Sequence, residues 1–264
     1  MKRYTEAHDN AVWSTLLRLL NYNPEEAREH QQEVAQLPCR LGGCGLRCAS
    51  RTAPAAYWAA WADALPTLRE RFPRKAAEYV AELELSYENR HCLRETLKGG
   101  RVLRREGFEQ PTWTALAEGA RPEQPEPAKL DPGEWLHGWQ YFASTAREMY
   151  HLEHRVKPSC SNAELSLLRS QSGRNCARGL TAVPSDPALT LQPARLNAVL
   201  CRRLRLPILQ LSSHCEGCGK RLDPFGDHRC ACMRNGRMQA RAKPVELAWA
   251  RVLREAGKEE GATV

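Results

Sequence analysis

Cys215, Cys218, His228 and Cys232 stand in the order C-x2-C-x9-H-x3-C, and the chemistry of that spacing is metal binding. Two thiolates separated by two residues can grip one ion from a tight turn, and a His and Cys separated by three can close a tetrahedral site from the far side of a loop. The ligand types make zinc the expected ion. The intervening loop, Gly219 to Asp227, carries Gly219, Asp223-Pro224 and Gly226-Asp227, residues that turn a chain without a core of its own. Metal binding contributes about 10–16 kcal/mol in zinc-finger peptides, so such a loop is ordered by its ion. Two neighbours compete for places in the ligand set: Cys230 lies between His228 and Cys232, and His214 precedes Cys215. Pairing Cys230 with Cys232 would end the motif in C-x-C, a less common geometry for one ion, which favours His228 with Cys232.

The elements that must position this loop read as helices. Helical spacing of apolar residues marks Glu6–Leu20, Ala53–Leu65 with Tyr57, Trp58 and Trp61 on one face, Pro66–Arg71, and Lys75–Leu97 with Tyr79, Leu83, Tyr87 and Leu93 facing a core. The Gly42-Gly43 and Gly45 segment reads as a loop between helices, because no Lys-Ser/Thr partner makes it a phosphate cradle. From Glu106 to Gly133 the chain turns to Glu, Gln and Pro, which predicts a linker. Glu134–His154 follows as an amphipathic helix with Trp135, Trp139, Phe142 and Met149, then Ala163–Ser170. Pro193–Leu206 is expected to turn Leu196, Val199, Leu200 and Leu204 inward and Arg195, Arg202 and Arg203 outward. A last helix is expected over Pro244–Ala256, with Pro244 in its first turn and Gly257 past its end. Strand signals are weak throughout, so the fold class is mainly α. The expected organisation is a helical region over 1–105, a linker over 106–133, helices over 134–206, the metal module over 207–243 and a terminal helix over 244–264.

At 264 residues the chain holds one large or two small domains. Its net charge of +8 and pI near 9.0 favour an anionic partner. The excess is concentrated around the loop, where Arg202, Arg203 and Arg205 lead in and Arg229, Arg234, Arg237 and Arg241 lead out. A basic zone flanking a metal loop is the electrostatic footprint of nucleic-acid binding, through RNA or DNA phosphates. Eleven cysteines, an odd number with several in helical stretches, argue against a secreted disulfide framework. No apolar run reaches the length of a membrane span and no signal-type run follows Met1. An intracellular, reduced protein follows, with no membrane and no small-molecule substrate among its expected partners.

Together these segments resemble the region downstream of the polymerase domain in non-LTR retrotransposon reverse transcriptases that end in a zinc motif and a restriction-like endonuclease. The resemblance is carried by Leu37-Pro38 with Gly42-Gly43 and Gly45-Leu46, Ala53-Pro54-Ala55-Ala56-Tyr57-Trp58, Ser172-Gly173 and Leu180-Thr181-Ala182-Val183-Pro184. It continues through Arg202-Arg203-Leu204-Arg205-Leu206-Pro207 to Cys215, Cys218-Gly219, Leu222-Asp223 and Gly226-Asp227-His228 ahead of Cys232. It implies Cys215, Cys218, His228 and Cys232 as zinc ligands, a segment 1–105 akin to the thumb or connection, and a nuclear location. It also implies nucleic-acid positioning as the role.

The chain departs from that family at its catalytic parts. No Tyr-x-Asp-Asp occurs in it, and it stops at Val264 after what resembles only the first helix of the endonuclease. Glu246 and Glu255, nine residues apart on a helix, point in opposite directions and cannot share a metal. The expectation is therefore a truncated, non-catalytic, zinc-dependent nucleic-acid-binding piece. The alternatives are a structural zinc module that docks proteins and, behind it, a reduced endonuclease.

Overall fold

The structure, a computed structural model, describes residues 2–123, 137–173, 175–176, 178–187, 190–209 and 212–260. It is mainly helical, with no strand among the described residues. The helices are α1 (Lys2–Leu19), α2 (Glu29–Ala35), α3 (Ala49–Arg71), α4 (Pro73–Glu84), α5 (His91–Arg105), α6 (Trp113–Ala117), α7 (Trp139–His151), α8 (Lys157–Ser159), α9 (Asn162–Ser170), α10 (Arg178–Thr181), α11 (Pro193–Arg203), α12 (Asp227–Ala231) and α13 (Arg237–Glu260). A π-helical turn, Leu152–Val156, joins α7 to α8. The chain forms two compact units, Met1–Leu189 and Thr190–Val264.

The first unit is built around α3. Ala55, Trp58, Ala59, Ala62 and Leu65 recur at helical spacing and are fully buried, and α4, α5, α6 and α7 pack about them. Trp58 is the centre: Phe108 and Trp139 meet it edge to face at 5.3 and 5.6 Å, and Trp113 is tilted against it at 6.2 Å. Large aromatics fit there because the alanines of α3 let neighbours approach. Gly99 does the same from α5, since a Cβ there would lie 2.5 Å from the Pro54 carbonyl oxygen. The N-terminus of α3 is satisfied from a distance by Asp9, whose carboxylate accepts from the N–H groups of Ala49 at 2.7 Å and Ser50 at 3.0 Å. Burial works to raise the Asp9 pKa, but these N–H groups and the Cys48 thiol outweigh it and lower it to about 2.

Several sequence expectations change here. Pro66 does not start a new helix but sits inside α3. Tyr87, expected in the core, lies beyond the end of α4 and is exposed. Met149 is also exposed, whereas Trp139 on the same helix is buried; Trp135 lies outside the described residues. The expected linker from Glu106 is packed as far as it is described. Phe108 and buried Trp113, Leu116 and Ala117 contribute to the core, and Thr112 caps α6 through the Ala115 N–H. Four apolar side chains outweighed the polar composition around them. Residues 124–133 lie outside the described residues.

The second unit begins at Thr190, so α11 belongs with the metal loop and not with the helices before it. Cys201 and Arg203 of α11 are buried, as are Leu204 and Leu206 just past its end, while Leu196 and Val199 are exposed. Leu204 thus faces inward as expected, but Arg203 joins it there while Leu196 and Val199 do not. In α13, Pro244 is internal and the helix starts seven residues earlier, at Arg237. Gly257 falls within it.

Candidate metal centre

The loop ahead of the cluster folds back on itself through backbone hydrogen bonds. Leu222 N–H donates to Ser213 O at 2.9 Å, Cys215 N–H to Lys220 O at 2.8 Å and Gly219 N–H to Cys215 O at 2.8 Å. His214 and Arg221 form an isolated antiparallel bridge. Gly219, at φ 71°, closes the turn in the left-handed region that a side chain would resist. Cys215 and Cys218 are thereby presented from one tight knuckle.

His228 and Cys232 come from the other side, on and just past α12. One side chain sets that helix. Asp223 accepts from the N–H groups of Phe225 and Asp227 at 3.0 Å each and from His228 at 2.7 Å. Burial works to raise its pKa, but the N–H groups of His228, Asp227 and Phe225 prevail and hold it below the usual carboxylate range. Gly226, at φ 75°, supplies the left-handed residue that starts the helix.

The two sides meet in one cluster. The ligand atoms of Cys215, Cys218, His228 and Cys232 all lie within 4.8 Å of one another, and Cys218 Sγ is 3.1 Å from His228 Nε2. Three sulfurs and an imidazole nitrogen at this separation fit the corners of a tetrahedron around a metal ion with bonds of about 2.0–2.3 Å. Cys215 and Cys232 are buried. The N–H groups of Cys218 and Gly217 draw the Cys215 thiol down to about 6, which prepares a thiolate ligand. Cys218 moves the other way: the Lys220 N–H lowers it, but burial and the adjoining Cys215 hold its thiol up. The cluster can hold a metal ion.

Neither competing ligand joins the cluster. Cys230 Sγ accepts from Arg202 Nη1 at 3.2 Å, and the His214 ring pairs with Ser213 Oγ at 3.0 Å. α12 explains the choice: residues 228 and 232 are one turn apart and share a face, whereas 230 points elsewhere.

The arginines leading into the loop do not form an outward basic surface. Arg203 is buried. Arg202 donates through Nη1 to Gly226 O at 3.1 Å and pairs through Nη2 with Asp227 at 3.4 Å. Arg205 pairs with Asp227 at 2.6 Å and lies 4.2 Å over the Phe225 ring. Its own backbone sits in the left-handed region at φ 57°, uncommon for a residue with a side chain. These three are built into the module. Of those leaving the loop, Arg234, Arg237 and Arg241 are exposed and Arg229 is half-buried. Arg237 lies 3.9 Å from Glu216, and Arg241 donates to Cys230 O. Lys220, Arg221 and Lys243 are exposed nearby in sequence.

Two residues that chemistry-minded reading passes over hold the module together. Asp223 is one, legible only as a turn-former ahead of Pro224. Asn235 is the other: its Nδ2 donates to Arg229 O at 2.8 Å, and its Oδ1 accepts from the Arg237 N–H at 3.0 Å, at the start of α13. The backbone of Arg234 and Asn235 lies against Gly217, where a Cβ would come within 2.6–2.7 Å of it. Among the described residues no helix is long and apolar enough to cross a membrane. Compared with protein-family models, curated proteins and solved structures, the chain matches none.

Proposed function

We propose that the chain is a zinc-organised nucleic-acid-binding protein, derived from the region downstream of the polymerase in a non-LTR retrotransposon reverse transcriptase and without catalytic activity of its own. The observation that carries the reading is the Cys215, Cys218, His228 and Cys232 cluster, with exposed Arg234, Arg237 and Arg241 on the segment leaving it. Zinc is the ion that three thiolates and one imidazole select. It is structural in this reading, since four protein ligands leave no open position for a substrate. The partner is held through phosphates in RNA or DNA, and a nuclear location follows from the retroelement origin.

Titration of a short single strand and a duplex at two salt concentrations tests this. Binding is expected to be micromolar or weaker at physiological salt and nearly independent of sequence, with a log-log salt slope of roughly −0.7 to −0.9 per phosphate neutralised. Arg234→Ala with Arg237→Ala should weaken binding and flatten that slope while leaving metal content unchanged. Absence of saturable binding at low salt rejects the reading. The inward-turned Arg202, Arg203 and Arg205 favour a second reading, a zinc module that presents a protein-docking element, which would give metal binding without that salt-dependent affinity.

A further inference from the structure

The helix that leaves the metal module is unlike every other long helix of the chain: all of its described side chains from Arg237 to Ala256 are exposed. It packs on α12 and on the turn Met233–Asn235, with Arg237 and Arg241 of its first turns reaching Glu216 and Cys230. Its large exposed apolar residues, Leu247 apart, gather on one side. Met238, Ala242, Val245, Trp249, Val252 and Ala256 follow one another at alternating steps of four and three. At 100° per residue they fall within about 40° of one line, with Leu253 just beside it. Lys243, Leu247, Arg251 and Arg254 occupy the opposite side, and Pro244 lies off the seam. A narrow seam with a seven-residue repeat is what a second helix packs against, whereas a membrane-lying helix spreads its apolar face more widely.

The side chains choose the partner and its direction. Arg237 and Arg241 flank one end of the seam, and Glu255 flanks the other end on the same side. When two copies of a helix pack antiparallel, like flanks face each other, so Arg241 comes opposite Glu255 of the second copy, twice across the dyad. The same register puts Trp249 against Val245, Ala242 against Val252 and Ala256 against Met238 of the second copy. Every large side chain then has a smaller one facing it. Parallel packing would instead stack Trp249 on Trp249; it would set Arg241 beside Glu246 of the second copy, but leave Glu255, paired at 2.7 Å with Arg251 of its own helix, with no basic residue of that copy to face. Glu246 lies near its own copy across the dyad, an opposing cost. We propose that α13 is a self-association element, through which two copies of this chain pair antiparallel along the seam from Met238 to Ala256.

Sedimentation of the full, metal-loaded and nucleic-acid-free chain over about 1–100 µM tests the proposal, because a seam of this length should have an affinity in that range. The expected result is a concentration-dependent rise towards twice the 29.8 kDa of one chain. Trp249→Asp should abolish it while metal content and helical signal stay unchanged, since Trp249 is exposed within one copy. Arg241→Glu and Glu255→Arg should each weaken association tenfold or more, and the double substitution should restore it. A monomer at every concentration, or a dimer that survives Trp249→Asp, overturns the proposal. Failure of the double substitution to restore pairing overturns the antiparallel register. Adsorption to anionic lipid vesicles without self-association overturns it in favour of a lipid-facing helix. These results are independent of nucleic-acid binding, so either proposal can fail alone.

Discussion

Asp223 does for the metal loop what no ligand can do: it shapes the turn that carries His228 by taking three backbone N–H groups onto one carboxylate. Asp223→Ala should therefore lower metal affinity about 10–100-fold although it touches no metal, the usual effect of removing a group that orients a ligand. Competition with a colorimetric chelator measures this. In the same assay His228→Ala should lose the ion and Cys230→Ala should keep it; the reverse pattern would show a different ligand set. The cluster was legible in the sequence because metal ligation constrains spacing directly. Asp223, Asn235 and the inward course of Arg202, Arg203 and Arg205 were not. Each depends on which backbone groups fold into reach, and an arginine's formal charge does not reveal whether it faces phosphate or Asp227.

α7 carries a group that should set the acid stability of the first unit. His151 is buried enough to push its pKa down from the ordinary 6.5 to about 3, and Arg51, Arg155 and Arg147 push it the same way. Its Nε2 has no hydrogen-bond partner among the described residues. A folded-state pKa below the unfolded one gives stability that is complete above pH 6.5 and lost as pH falls from there towards 3. Thermal unfolding followed between pH 7 and 4 should show this decline, and His151→Leu should flatten it; an unchanged slope would place the acid sensitivity elsewhere. Asp9 adds a second loss below its ordinary 3.8. Helix existence was readable from apolar periodicity over α1, α3, α5 and α11. Boundaries and faces were less so. Pro66 and Pro244 read as starts because proline suits a first turn, yet packing around α3 and the Asn235 cap on α13 extend both helices through them.

At the scale of the molecule, the division at Thr190 separates a part held by an aromatic core from a part whose Cys/His cluster can hold a metal ion. Chelation should therefore remove one unfolding transition and leave the other in place. Calorimetry with and without a strong chelator should show a core transition that shifts by no more than a degree or two and a metal-dependent one that disappears. Hydrogen exchange assigns each transition to its residues. A single transition that collapses on chelation would mean that the two parts fold as one.

Asn235 joins two things that sequence keeps apart, one hydrogen bond fixed on Arg229 inside the metal loop and the other on the first turn of α13. Such a joint makes the equilibria at its two ends thermodynamically reciprocal. If occupancy of the metal site steadies α13 by some factor, whatever then settles on α13 must tighten the metal by that same factor. Asn235→Ala would uncouple the two, leaving each event its own affinity and removing the influence of one upon the other.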